Sequence, residues 1–258
     1  MMGVPTFYTR LLEEPGFGRE LAGHMRLFIS GSAPMLEETH RQFEARVGQR
    51  ILERYGMTET NMLTSNPYDG ERVAGTVGQP LPGVELKVCD GEGKALPDGE
   101  VGMIEVRGEN VFGGYWQMPE KTAAELRADG WFITGDLGVI DERGYVSIVG
   151  RGKDLIISGG YNIYPKEVEE VLLTHPGVAE VAILGIPDPQ WGEIGLAVCV
   201  PAGENAPEPE ELTSYLKERV AGYKIPARYL FIEEMPTSAY GKITKKLVRE
   251  HLSAKGLL

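Results

Sequence analysis

A chain of 258 residues that is 42% hydrophobic and 25% charged has the size and composition of one large globular domain or two modest ones. Its formal net charge of −12 excludes a generally basic surface for nucleic acid, so any anion site must be built locally. No apolar stretch is long enough to cross a membrane and no signal-peptide pattern opens the chain. The two cysteines, Cys89 and Cys199, lie far apart in apolar strand-like runs, which suits buried free thiols and a reducing, cytoplasmic compartment.

In chain order, Met2–Leu12 runs straight into structured sequence, as the middle of a domain would. His24–Ser30 is an apolar run that predicts a strand. Gly31-Ser32-Ala33-Pro34 closes it as a turn, and Met35–Val47 follows with helical spacing. Strand, glycine turn and helix make an α/β unit, whose ligands are expected at the strand's carboxyl end. Ile51–Arg54 begins a second short strand that leads into Tyr55–Thr60. From Gly75 to Val149 short alternating runs (Val84–Val88, Val101–Arg107, Val139–Ile140, Tyr145–Val149) are punctuated by glycine, proline and aspartate, the pattern of a small β-barrel or sheet. One helix interrupts them, Pro119–Arg127, with proline at its first position. After Asp154 the spacing predicts a strand over 154–157, a helix over 165–173, strands over 178–184 and 194–200, a helix over 209–220, a strand over 228–232 and a helix over 244–252. That is a compact α+β domain, with a polar, solvated loop at Pro201–Pro209.

Four short stretches carry residue types suited to chemistry. Thr58 and Glu59 follow Tyr55-Gly56-Met57, and a hydroxyl beside a carboxylate can face a phosphate and its Mg²⁺ together. The same pair would serve equally as a helix cap and a first-turn acid. Thr134-Gly135-Asp136 ends a strand after Trp131-Phe132. A carboxylate there can accept both hydroxyls of a ribose, or simply close a β-turn. Arg151 lies shortly beyond, as a second ribose contact or a surface ion pair. Lys242, after Gly241, places an ammonium on a tight loop where it can reach a phosphate and a carboxylate together, or begin a solvated basic helix.

The order of five elements (Gly31–Pro34, Tyr55–Thr60, Thr134–Asp136, Gly150–Pro165 and Pro236–Lys246) resembles the adenylate-forming superfamily, over essentially the whole chain. The resemblance implies the carboxy-terminal part of a large adenylating domain over 1–152, with an α/β portion at 1–74 and a β-barrel portion at 75–152. A compact, mobile α+β domain over 153–258 follows. It implies an ATP-dependent acyl-CoA synthetase working through an acyl-AMP, with ATP/AMP, Mg²⁺ and coenzyme A as cofactors. Gly31, Ser32 and Ala33 would line the adenine and acyl pocket. Tyr55 would stack on adenine, Gly56 and Met57 would flank the nucleotide, Thr58 would touch the α-phosphate and Glu59 would hold Mg²⁺. Asp136 and Arg151 would bind ribose, Lys153 would be the hinge, and Gly159, Gly160 and Tyr161 would border the pantetheine channel. Lys242 would be the catalytic lysine of adenylation.

Within the superfamily, Phe7–Leu12, Glu53–Met62 and Ser65-Asn66-Pro67-Tyr68 resemble malonyl-CoA synthetases. The second carboxylate of malonate or methylmalonate needs a fixed cation. Arg41 is the candidate, with Ser32 and His40 as helpers. A medium- or long-chain fatty acyl-CoA synthetase is the alternative. The superfamily's Ser/Thr/Gly-rich loop for the β- and γ-phosphates has no counterpart in these 258 residues. The chain is therefore expected to be a carboxy-terminal half, weak or inactive in adenylation alone and prone to pair with a missing half or with itself. A non-catalytic nucleotide-binding or interaction fragment is the second expectation.

Overall fold

The computed structural model describes residues 1–33, 35–203, 205–238 and 242–258. The chain divides into two units, Met1–Val149 and Gly150–Leu258, each with its own core.

The first unit opens with β1 (Met2–Gly3), α1 (Pro5–Glu13), α2 (Arg19–Ala22), β2 (Ile29–Ser30), α3 (Glu37–Val47), β3 (Leu52–Met57), β4 (Asn61–Ser65) and β5 (Gln79–Pro80). The strands lie in the order β1-β2-β3-β4-β5, parallel through β3 and antiparallel after it. The strand expected over His24–Ser30 shortens to Ile29–Ser30, because its two neighbours offer only Met2–Gly3 and Leu52–Glu53 for pairing. Proline at the first turn starts α1, and Gly48 in the left-handed region (φ +79°) ends α3. The two helices close on an aromatic nucleus: Tyr8 and Phe28 meet Phe43 edge-on at 5.3 and 4.9 Å between ring centroids. Arg46 of α3 donates to the carbonyls of Leu12, Glu14 and Phe17, satisfying the C-terminal end of α1.

There follow β6 (Glu85–Cys89), β7 (Gly102–Arg107), α4 (Pro119–Glu125), β8 (Phe132–Ile140) and β9 (Val146–Arg151). Here the β-barrel expectation is corrected. Among the described residues the strands form an open sheet, β6-β7-β8-β9, over a core of Leu63, Val88, Ile104, Val106, Phe132 and Val146.

The second unit holds β10 (Ile156–Ser158), β11 (Tyr161–Ile163), α5 (Pro165–Leu172), β12 (Val178–Asp188), β13 (Gly192–Pro201), α6 (Pro209–Lys217), β14 (Arg228–Phe231) and α7 (Lys245–Ala254). Its sheet runs β11-β10-β13-β12, with β14 parallel to β13. Alternation along β12 feeds two cores at once. Val181 and Ile183 pack with Val168, Leu172 and Leu212 of α5 and α6, while Ala182 and Leu184 pack with Val248 and Leu252 of α7. The sheet is thus buried on both faces, an α+β arrangement. Among the described residues no helix is long and apolar enough to cross a membrane.

Candidate functional site

Strands β3 and β4 form a hairpin whose tip is Thr58-Glu59-Thr60. The amide of Thr60 donates to Met57 O at 3.2 Å, and Asn61 follows in the left-handed region (φ +54°), closing a three-residue loop. Tyr55, Gly56 and Met57 therefore belong to the strand rather than to a turn. Gly56 is demanded by packing: a Cβ there would lie 2.2 Å from Asn61 O. Thr58 is exposed and Glu59 half-buried. The tip is fixed from outside by the segment after β7, since the amide of Phe112 donates to Glu59 O (2.7 Å) and Asn110 Nδ2 donates to Thr60 O (2.7 Å).

Asp136 does not end a strand, as its glycine neighbour suggested; it lies in the middle of β8 and is 4% exposed. The register between β7 and β8 jumps there: Met103 faces Leu137 and Glu105 faces Ile133, so residues 134–136 oppose Ile104 alone. Gly135, at φ +75°, lets this bulge form. Thr134 closes it, its hydroxyl donating to Ile104 O (2.9 Å) and accepting from the amide of Asp136 (3.1 Å). The bulge turns the carboxylate of Asp136 toward β3, where the Tyr55 hydroxyl donates to Oδ2. Two residues expected at one nucleotide site, Tyr55 and Asp136, are thus brought into direct contact.

A groove of about 220 Å³ opens beside β2 and β3, lined by Met2, Gly3, Val4, Phe7, Gly31, Ser32 and Arg54. Ser32 is exposed and held at φ +68°, a backbone strain that fixes the turn after β2. Pro34, which completes the expected motif, lies outside the described residues. Gly31 admits the arginine: a Cβ there would meet Arg54 O at 3.0 Å and Nη1 at 3.3 Å. Arg54 is half-buried, and its guanidinium donates to the thioethers of Met62 (2.8 Å) and Met2 (3.3 Å). Thioether sulfur is a weak acceptor, and among the described residues Arg54 has no carboxylate partner. By contrast Arg41 stands on the exposed face of α3, paired with Glu37 one turn back at 2.7 Å, and does not line the groove. His40 is buried against Glu53, Nδ1 to Oε1 3.2 Å. Sequence reasoning missed Arg54. Its signal lay in strand alternation: Glu53 and Tyr55 share one side of β3 and Arg54 takes the other.

The Tyr115 hydroxyl lies 2.5 Å from Glu125 Oε2 and 3.2 Å from Glu59 Oε1. Burial and the two carboxylates push this phenol well above its ordinary titration range, so it keeps its proton.

In the second unit, Lys153 is exposed in a single 3₁₀ turn, Gly152–Asp154, after Arg151 ends β9. Gly159 (φ +55°) and Gly160 (φ +83°) are the two-residue turn between β10 and β11, a geometry that wants positive φ at both positions. A Cβ on Gly159 would also strike the Trp191 ring at 2.8 Å. Tyr161, exposed, packs against Tyr223 with ring centroids 4.9 Å apart. The loop before α7 is tied by Ser238, whose amide donates to Lys242 O (2.8 Å) and whose hydroxyl accepts from the Lys242 amide (3.2 Å). Lys242 is half-buried; Ala239, Tyr240 and Gly241 before it lie outside the described residues.

The family model described as AMP-binding enzyme matches residues 1–116, and that described as AMP-binding enzyme C-terminal domain matches residues 167–242. The chain belongs to this family, the adenylate-forming enzymes. It is 41% identical to malonate–CoA ligase of Arabidopsis thaliana, over 97% of this chain and 44% of that protein. It is 39% identical to a long-chain-fatty-acid–CoA ligase of Bacillus subtilis, over 96% of this chain and 44% of that protein. Among solved structures, ATP-bound MatB from Rhodopseudomonas palustris superimposes with a TM-score of 0.94 at 55% identity, over 97% of this chain and 50% of that one. The chain thus spans about half the length of the relatives it matches.

Proposed function

We propose that the chain is the carboxy-terminal half of an ATP-dependent acid–thiol ligase that activates a small dicarboxylate, malonate or methylmalonate. The observation that carries the substrate is Arg54. It is a half-buried guanidinium with no carboxylate partner among the described residues, lining with Ser32 a groove whose remaining side chains are apolar. A planar fork of donors suits a carboxylate bidentately, so Arg54 takes the role first given to Arg41. The malonate–CoA ligase and MatB likenesses support this reading.

In the proposed reaction an oxygen of the substrate's other carboxylate attacks the α-phosphorus of ATP, the Pα–O bond to the β-phosphate breaks, and pyrophosphate leaves. The thiol sulfur of coenzyme A then attacks the acyl carbon of the acyl-AMP, AMP departs with the bonding electrons, and the thiol proton passes to solvent. Asp136 holds the ribose with Arg151, Tyr55 stacks on adenine between Gly56, Met57 and the Gly31–Ala33 turn, and Thr58 meets the α-phosphate. Lys242 stabilises charge at phosphorus in the first step. Gly159, Gly160 and Tyr161 receive the pantetheine arm, and Lys153 is the hinge between steps. Glu59 fits a divalent cation of the Mg²⁺ kind, since it offers carboxylate oxygen at an accessible tip with no basic side chain bonded to it among the described residues. Mg²⁺ there would offset charge on the ATP phosphates. The groove of about 410 Å³ at the β1 edge, lined by Arg26 and the apolar Met1, Met2, Met25, Leu27 and Ile29, would suit the packing of the missing half expected from the sequence.

The test is carboxylate-dependent ATP–pyrophosphate exchange by the protein expressed from its full natural reading frame, with malonate, methylmalonate, acetate and octanoate compared. Preference for malonate or methylmalonate is expected. Preference for octanoate makes the enzyme a fatty acyl-CoA synthetase. No exchange with any acid favours a non-catalytic nucleotide-binding or interaction role.

A further inference from the structure

Tyr115 is held from four sides. Its amide donates to Thr122 Oγ1 (2.9 Å), its ring stacks edge-on against Phe112 (4.8 Å between centroids), and the ammonium of Lys121 sits 3.9 Å from the ring centroid. Its hydroxyl lies between two carboxylates, closer to Glu125 than to Glu59. Phe112 in turn packs on Phe132 in the core (5.3 Å), so the phenol is referred to the sheet rather than left to a loose loop. Helix α4 supplies Lys121, Thr122 and Glu125, one to each part of the tyrosine.

A phenol has one proton for these two acceptors. Given to Glu125 at 2.5 Å, it leaves Glu59 facing an oxygen lone pair, with an unquenched carboxylate. We propose that Glu125 is a positioning residue that acts on Glu59 through Tyr115: it draws the tyrosine proton away, so that Glu59 stays a full-strength acceptor for the divalent cation of the bound nucleotide. The proposal rests on the reading of Glu59 as the carboxylate that meets this cation. Removing the charge of Glu125 turns the phenol toward Glu59, where its hydrogen bond competes with the cation. Removing the hydroxyl as well abolishes the competition.

The experiment is a calorimetric titration of Mg²⁺ into the full natural protein with α,β-methylene-ATP, which cannot be cleaved at the reacting bond. Glu125→Gln is expected to raise the half-saturating Mg²⁺ concentration about fivefold, the size of one ordinary hydrogen bond. Tyr115→Phe combined with Glu125→Gln is expected to return to within about twofold of the parent, and Glu59→Gln to lose the Mg²⁺ response. An equal loss from Glu125→Gln in the Tyr and Phe backgrounds, or no loss at all, overturns the proposal, because a distant charge or simple packing gives no rescue. Should Glu125→Gln melt early, Glu125→Ala compared in the Tyr115 and Tyr115→Phe backgrounds carries the test; a loss of Mg²⁺ affinity in the first that the second rescues is expected, and an equal loss in both, or none in either, contradicts the proposal. A parent protein that binds the analogue without any Mg²⁺ dependence overturns both this inference and the reading of Glu59.

Discussion

The hydroxyl of Tyr55 donates to Oδ2 of Asp136 across 81 residues of sequence, joining the hairpin that carries Thr58 and Glu59 to the bulge that carries the buried carboxylate. The phenol orients Asp136 and offsets the cost of burying its charge. Tyr55→Phe is expected to lower the stability of the first unit by about 1–3 kcal/mol, the range for a hydrogen bond to a buried charged group. It is also expected to weaken ATP binding. Denaturant melts and nucleotide titration of the same variant check the two effects together.

Gly159→Ala meets two obstacles at once, a positive φ and the Trp191 ring. Gly160→Ala meets only the first, as nothing lies within 4 Å of its added Cβ. The expected loss is about 1 kcal/mol for Gly160→Ala and more for Gly159→Ala. Urea unfolding of the two variants gives the order, and a reversed order would contradict the turn geometry.

Glu180 sits half-buried at the start of β12, and burial pushes its carboxyl above the ordinary range against a backbone hydrogen bond from Met235. An acid whose folded-state pKa is raised costs stability as pH rises through its unfolded value, about 4.3, toward the folded one. Glu180→Gln removes that cost. The variant is therefore expected to melt above the parent at pH 7, with the difference vanishing near pH 3, in thermal scans at both values.

Lys242→Ala is expected to reduce adenylation by about a hundredfold or more, the scale for losing a transition-state electrostatic contact. Thioester formation from preformed malonyl-AMP should fall little. Pyrophosphate exchange and thioester assays on one preparation separate the half-reactions, and equal loss in both contradicts a role confined to the first.

Much of the second unit was legible in sequence because a strand buried on both faces by different helices reads as an unbroken apolar run. Val181-Ala182-Ile183-Leu184 is such a run, and prolines open α5 and α6. The first unit was legible only in outline. Gly135 and Asp136 look like a turn in sequence, and become a bulge only because β7 continues opposite them. Arg41 and Arg54 are alike as letters. What separates them is a neighbour, Glu37 one helical turn away for the first and two thioethers for the second. Tyr115 left no mark in sequence, because its partners Glu59 and Glu125 meet it only through the fold.

The most direct measurement is the ratio of kcat/KM for malonate to that for octanoate, in the full natural protein and in Arg54→Met. A bidentate ion pair at a half-buried site contributes about 2–3 kcal/mol, so the ratio is expected to favour malonate in the parent and to fall about thirtyfold or more in the variant. An unchanged ratio would contradict the assignment of the second carboxylate to Arg54.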